Sequence, residues 1–257
     1  MKALAYIAFA ILFLGTAKNL SAIDKTQALD SFAKANELYK ANEFEKALIT
    51  YNTIYDLGFE SADLYYNMGN AYYKTDNLPL SIWCYEKTLL IEPKHSEAQR
   101  NLELANLSVA DKVQELPRIA WWYYWQKFKK LFTLSGWTII SIIFTWLLAA
   151  GILLLLTQKH HWYKRLGVYF ITVGFVFTLI SGAIAANKSY QLKNPKSAII
   201  ITSNVYAKSA PEENSADLFI VHSGLKISID DEIGEWAKIK LADGKMGWIT
   251  KTDLKSL

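Results

Sequence analysis

Two long apolar runs without a charged residue constrain this 257-residue chain more than any other feature. The first covers residues 134–157 and the second covers residues 166–186. Because a helix needs about 20 apolar residues to cross a hydrocarbon core of ~30 Å, each run predicts a transmembrane helix. The connecting segment, residues 158–165, is short, so the two helices are expected to form an antiparallel hairpin with a cytoplasmic loop.

Small residues recur at every fourth position on both predicted spans, which allows two helix backbones to approach closely. Chance is the alternative explanation, because small residues are common in such helices. The positions are Ser141, Thr145 and Ala149 on the first span, and Gly174, Thr178 and Gly182 on the second.

The N-terminus, residues 1–22, has one lysine, a short apolar stretch and then small residues, which is typical of a secretory signal peptide. An uncleaved anchor is the alternative, and it would leave the next domain on the same side. Charge does not decide the orientation, since three basic residues lie between the spans and four precede them. The signal therefore predicts that both soluble domains are exported and lie on the same side of the membrane.

Charge is distributed unevenly along the chain. Residues 23–117 contain nine basic and fifteen acidic residues, whereas residues 118–165 contain seven basic residues and no acidic one. A basic excess beside the apolar runs favours contact with the lipid bilayer rather than with nucleic acid. Residues 117–133 mix aromatic residues with lysine, which predicts an amphipathic helix lying in the membrane interface or, alternatively, an ordinary aromatic belt.

A repeat with an offset of 34 residues occupies the acidic segment, which predicts paired helices in residues 23–116. The segment 62–95 resembles the tetratricopeptide repeat, the segment 28–61 matches less well, and residues 96–110 would form a capping helix. The matching positions of the better unit are Tyr65, Met68, Gly69, Tyr72, Ser81, Tyr85 and Pro93. The resemblance implies an all-α stack that binds protein partners on the face formed by the first helix of each pair.

The residues expected on that partner-binding face are polar or aromatic. An ordinary solvated surface is the alternative, although asparagine is a poor residue for a helix interior unless its amide is used. The candidates are Asn36, Tyr39 and Lys40 in the first unit, Asn67, Asn70, Tyr73 and Lys74 in the second, and Arg100 and Asn101 on the cap.

Residues 187–257 change to short β-rich runs separated by turn residues. Two alternating runs flank Asp243 and Gly244, which predicts a β-hairpin. About five strands in so short a segment predict a small all-β barrel. The segment resembles bacterial SH3-like domains, some of which bind cell-wall peptides while others hold proteins together. Tyr206, Trp236 and Trp248 are candidate surface aromatics, although a tryptophan in so small a barrel commonly belongs to its core.

The order of signal peptide, tetratricopeptide repeat, two-span hairpin and SH3-like domain resembles the BatE-type membrane proteins of the aerotolerance operons. That resemblance implies a multidomain protein of the bacterial inner membrane with both soluble domains in the periplasm. It would act as a scaffold or adaptor beside von Willebrand A-domain membrane proteins. A peptidoglycan-binding protein, acting through the SH3-like domain, is the alternative function. Reporter fusions at different points of the chain would test the topology.

An enzyme is not expected from this sequence. Cys84 is the only cysteine and has no basic neighbour in sequence, so a buried apolar role is favoured over a reactive thiol. His160 and His161 are adjacent and would diverge on a helix, while His95 and His222 stand alone. No phosphate-binding loop or nucleophile motif is present, so neither catalytic residues, a metal nor a cofactor is predicted.

Overall fold

The computed structural model describes residues 22–113, 120–157, 160–194 and 196–257, which form eight α-helices and seven β-strands. The signal-peptide prediction therefore falls outside the described residues, except for Ala22, where the first helix begins. The helices are α1 Ala22–Lys40, α2 Phe44–Asp56, α3 Ala62–Lys74, α4 Leu78–Ile91, α5 Ser96–Leu107, α6 Ala120–Lys129, α7 Leu134–Thr157 and α8 His161–Lys193. The strands are β1 Ser197–Ile200, β2 Asn204–Lys208, β3 Asp217–His222, β4 Lys226–Ile233, β5 Trp236–Lys240, β6 Met246–Thr250 and β7 Leu254–Ser256.

The chain divides into two compact units, the first ending at Phe59 and the second beginning at Glu60. The first contains the helical hairpin α1–α2, and the second begins with the hairpin α3–α4. Both hairpins turn through a left-handed residue, Asn42 with φ 61° and Asp76 with φ 58°, and these two positions are 34 residues apart. The helical content thus fits tetratricopeptide-like repeats, and the turn recurs at the offset found in the sequence.

Helices α3 and α4 approach each other most closely at Gly69. A Cβ atom at this position would lie 2.7 Å from Cε1 of the buried Tyr85 ring. The hydroxyl of Ser81 also donates a hydrogen bond of 2.9 Å to the carbonyl oxygen of Gly69. The side chains of Ser61 and Asn77 accept hydrogen bonds from backbone N–H groups in the first turns of α3 and α4, which begins each helix in a defined place.

Helices α7 and α8 are each long and apolar enough to cross a membrane. The bounds of α7 coincide with the predicted span, residues 134–157. Helix α8 extends beyond the predicted residues 166–186 at both ends and includes most of the predicted loop 158–165. No proline or glycine interrupts residues 161–165 or 187–193, so the helix continues until Asn194, which precedes a proline.

The two spans pack along small residues, as the sequence predicted. The Oγ1 atoms of Thr145 and Thr178 are 3.5 Å apart. A Cβ atom on Gly174 would lie 2.7 Å from the backbone nitrogen of Leu148, and one on Gly151 would lie 2.7 Å from a carbonyl oxygen of α8. Backbone cannot move aside as a flexible side chain can, so glycine is required at both positions. The sequence-based stripe included Gly174 and missed Gly151.

The C-terminal segment forms a seven-stranded antiparallel sheet in the order β3-β2-β6-β5-β4-β1-β7. The predicted hairpin is confirmed, since β5 and β6 pair and Gly244 adopts φ 93° in the turn between them. The prediction of a closed barrel with about five strands is wrong, because the sheet is open and has two more strands. The edge strands β3 and β7 do not pair with each other, and β2 and β6 pair only at Lys208 and Trp248. The end of the sheet formed by β1 and β7 meets α4, where Trp83 contacts Ser256.

Candidate functional site

The second unit brings together residues of the predicted partner-binding face. Its members on α3 and α5 are called the polar face here, and they meet at Asn70. The Oδ1 atom of Asn70 accepts a hydrogen bond of 2.8 Å from the Tyr85 hydroxyl and one of 2.9 Å from Nδ2 of Asn101. Both donors are anchored on other helices, α4 and α5, so the amide of Asn70 has a fixed orientation. The polar face consists of Asn67, Asn70, Tyr73, Lys74, Arg100 and Asn101.

The remaining members of the polar face differ in their exposure. Tyr73 is 44% exposed, and Lys74 and Arg100 are also exposed. Asn67 is half-buried, like Asn70 and Asn101. The face therefore has a half-buried row of amides, with an aromatic ring and two positive charges at its exposed positions.

The first unit repeats the central contact of the second. The Tyr51 hydroxyl donates a hydrogen bond of 2.6 Å to Oδ1 of Asn36, which matches the pair formed by Tyr85 and Asn70 34 residues later. The ring of Tyr39 contacts that of Phe44, with their centroids 5.2 Å apart, and Lys40 is exposed. A tyrosine of the second helix thus orients an asparagine of the first helix in both hairpins. The sequence offset aligned these four residues, but it did not predict the hydrogen bonds.

A contact between α4 and the sheet was not predicted from the sequence. Nε1 of the buried Trp83 donates a hydrogen bond of 2.7 Å to the carbonyl oxygen of Ser256, and Nζ of Lys255 lies 4.3 Å from the centroid of the Trp83 ring. Lys226 forms an ion pair with Glu86, with Nζ 2.6 Å from Oε2. We call this region, together with the neighbouring contact of Asp111, the helix–sheet joint.

Asp111 lies in the segment that follows α5 and adds two contacts to the joint. Its Oδ2 accepts a hydrogen bond of 2.7 Å from the backbone N–H of His222, and its Oδ1 lies 2.8 Å from Nδ1 of the same residue. Gly224 approaches closely, since a Cβ atom there would lie 3.1 Å from Val109 and 3.2 Å from Ile82. Helices α3–α5 precede α7 and the sheet follows α8, so these contacts place both at the same end of the α7–α8 hairpin.

The sheet carries an aromatic face opposite its core. Side chains alternate across a strand, and cross-strand partners point to the same face. Lys208 pairs with Trp248, and Trp248 pairs with Lys238. Tyr206 and Trp236, each two residues from one of these lysines, therefore share the face of Trp248. Tyr206 is 56% exposed, and the two tryptophans are half-buried. All three thus lie outside the buried cluster formed by Ala207, Ala237, Ile239 and Ile249.

The comparisons with known proteins identify no relative. No protein-family model matches the chain, and no curated protein matches it. The resemblances to the tetratricopeptide repeat, the SH3-like domain and the BatE-type proteins therefore remain predictions from the sequence.

Cys84 is poorly suited to act as a reactive thiol. Cys84 is fully buried in α4, and this burial raises the pKa of its thiol, so the thiolate is disfavoured. Within the described ranges, no group of three or more His, Cys, Asp or Glu side chains is placed to share a metal ion.

Proposed function

We propose that this protein is a membrane-anchored adaptor that binds a protein partner on the polar face. The observation that carries the proposal is the fixed amide of Asn70. Its Oδ1 already accepts two hydrogen bonds, so it can offer a partner mainly its Nδ2–H donors. Such donors suit the carbonyl oxygens of a peptide backbone. Tyr73 supplies apolar contact area, while Lys74 and Arg100 favour a partner segment with acidic residues.

The finer assignments belong to the same proposal. The helical hairpins act as tetratricopeptide repeats, and the sheet acts as an SH3-like domain. Both soluble parts face the periplasm of a bacterial inner membrane, because an N-terminal signal directs their export. The partners are other membrane proteins, and the von Willebrand A-domain proteins implied by the BatE-type resemblance are the first to test. The protein contributes no catalysis of its own.

Peptidoglycan binding is the second candidate function, and the aromatic face of the sheet favours it. Tyr206, Trp236 and Trp248 share that face, and flat aromatic surfaces provide contact area for sugar rings and peptide stems. Lys238, on the same face, adds positive charge that suits carboxylates, whereas Lys208 already forms an ion pair with Asp217, with Nζ 2.7 Å from Oδ1. This function would use the sheet and not the polar face, so the two candidates are experimentally separable.

Two exposed tyrosines provide a reciprocal test on the full-length protein. Tyr73→Ala alters the polar face, and Tyr206→Ala alters the aromatic face. If the adaptor proposal is correct, Tyr73→Ala reduces co-purification of membrane proteins from detergent-solubilised envelopes at least fivefold, and Tyr206→Ala leaves it unchanged. Sedimentation with purified cell-wall sacculi provides the second readout. Loss of sacculus binding in Tyr206→Ala alone, with unchanged protein capture in both variants, would favour the peptidoglycan function and contradict the adaptor.

A further inference from the structure

A cavity of about 310 Å³ lies between the end of α4, helix α6, the start of α7 and the end of α8. Its lining combines apolar residues from the end of α4, from α7 and from α8 with three lysines, Lys129, Lys130 and Lys188. We call the apolar part of the lining the apolar wall, and it consists of Leu89, Leu90, Ile91, Pro93, Leu134 and Leu192.

The described residues that line this cavity carry only positive charge. Among the described residues that line it, none is an aspartate or a glutamate. Lys130 also borders the neighbouring cavity beside the helix–sheet joint, which contains Glu86 and Asp111. Those two carboxylates already contact Lys226 and His222, respectively. An anion entering the smaller cavity would therefore meet a lining whose described charged residues are all lysines.

The cavity lies at the level where the apolar runs end. Lys129 and Lys130 precede the first residue of α7, and Lys188 follows the uncharged run 166–186 by two residues. Nζ of Lys188 donates a hydrogen bond of 2.8 Å to the carbonyl oxygen of Phe132, which holds this lysine beside the start of the first span. Lysines at the ends of membrane-spanning helices extend towards the headgroup layer.

A fourth cation borders the same region. Nζ of Lys94, in the segment after α4, lies 5.8 Å from the centroid of the Phe132 ring. Thr133 lines the cavity, and its Oγ1 accepts a hydrogen bond of 3.1 Å from the backbone N–H of Gly136. The Thr133 hydroxyl therefore retains its proton for donation to an anion. Basic pockets next to apolar walls at the membrane surface fit a phosphate group that carries acyl chains.

We propose that this cavity binds the phosphate group of an anionic phospholipid. Lys129, Lys130 and Lys188 contact the phosphate, and the acyl chains extend along the apolar wall towards the spans. The bound lipid connects α4 to the start of α7 and the end of α8, so it sets the position of α3–α5 above the bilayer. This site is separate from the polar face and does not depend on which protein partner occupies that face.

The test uses the full-length protein, purified in detergent and stripped of lipid. Short-chain phosphatidylglycerol, short-chain phosphatidylcholine and inorganic phosphate are titrated separately, and bound ligand is measured by native mass spectrometry. We expect phosphatidylglycerol to bind at least tenfold more tightly than phosphatidylcholine. Each lysine near an anionic headgroup contributes about fivefold in affinity, so the double variant Lys129→Gln/Lys188→Gln should bind phosphatidylglycerol more than tenfold more weakly.

Lys127→Gln is the matched control, because Lys127 is exposed on α6 and does not line the cavity. It should bind phosphatidylglycerol within twofold of the parent. Equal binding of the two lipids, or unchanged binding by the double variant, would refute the site. If inorganic phosphate binds as tightly as phosphatidylglycerol, the proposal that the ligand is a lipid is refuted. If circular dichroism shows that the double variant has lost helix, the single variant Lys130→Gln replaces it in the test. It should bind phosphatidylglycerol about fivefold more weakly than the parent. An unchanged affinity would refute the proposal.

Discussion

Substitution of Gly69 provides the sharpest test of the α3–α4 hairpin. A Cβ atom there would lie 2.7 Å and 2.8 Å from Cε1 and Cδ1 of Tyr85, and 3.1 Å from Cβ of Cys84. The Tyr85 ring is 1% exposed, and its hydroxyl is held by Asn70. The ring therefore has little freedom to move away from an added side chain.

The expected magnitude combines two opposing effects. Overpacking a core by added methylene groups destabilises it by about 1–3 kcal/mol. Replacing glycine within a helix by a better helix former returns ~1 kcal/mol. For Gly69→Ala the two effects nearly cancel or leave a small loss. Leucine adds three carbons beyond Cβ, and these would also overlap the Tyr85 ring. For Gly69→Leu we therefore expect a net loss of stability at the upper end of that overpacking range.

Hydrogen–deuterium exchange of α3 and α4 peptides in the full-length protein measures this loss directly. The free energy of exchange should be lowest in Gly69→Leu, while that of Gly69→Ala should equal that of the parent or lie slightly below it. The double variant Gly69→Leu/Tyr85→Leu is the control, because removing the ring relieves the overlap and should recover part of the protection. Equal or greater protection in Gly69→Leu would refute the assigned contact between the two helices.

Three further predictions concern the joint and the membrane hairpin. Trp83→Phe removes the indole donor and leaves the carbonyl oxygen of Ser256 without this partner. The free energy of hydrogen exchange in β7 should therefore fall by about 1–3 kcal/mol. Trp236→Phe, on the aromatic face, should leave exchange in β7 unchanged. Gly174→Ala should increase exchange in α7, because the new methyl group meets backbone at 2.7 Å, while Gly182→Ala, whose nearest atom is 3.5 Å away, should not; equal effects would contradict the packing. Reporter fusions at Leu257 and within α5 should report the same side of the membrane, and opposite signals would exclude the two-span topology.

The sequence predicts those parts of the fold that have a local signal. The bounds of α7 follow from a run without charge, and the β5–β6 hairpin follows from Asp243 and Gly244. The paired helices follow from an offset that aligns Tyr51 with Tyr85. Each of these features depends on neighbouring residues or on a fixed period, which are visible without the structure.

The features that the sequence does not predict depend on distant contacts. Trp83 and Ser256 are 173 residues apart, and no periodic pattern connects them. A barrel was expected wrongly because strand patterns show that a sheet forms but not whether its edge strands, β3 and β7, pair with each other. Asn70 was predicted as a binding residue, yet its Oδ1 is used within the protein, which only the placement of Tyr85 and Asn101 reveals.

The helix–sheet joint imposes an order on biosynthesis. Trp83 leaves the ribosome before either span, and its acceptor belongs to the strand that follows both. At a synthesis rate of about 5–20 residues per second, the intervening chain takes roughly 10–35 s to appear. The indole N–H of Trp83 therefore lacks its acceptor, the carbonyl oxygen of Ser256, until α7, α8 and the sheet have all been synthesised. A chain whose sheet fails to reach α4 would keep this N–H without its acceptor, which gives chaperones and proteases a feature that distinguishes misassembled molecules from finished ones.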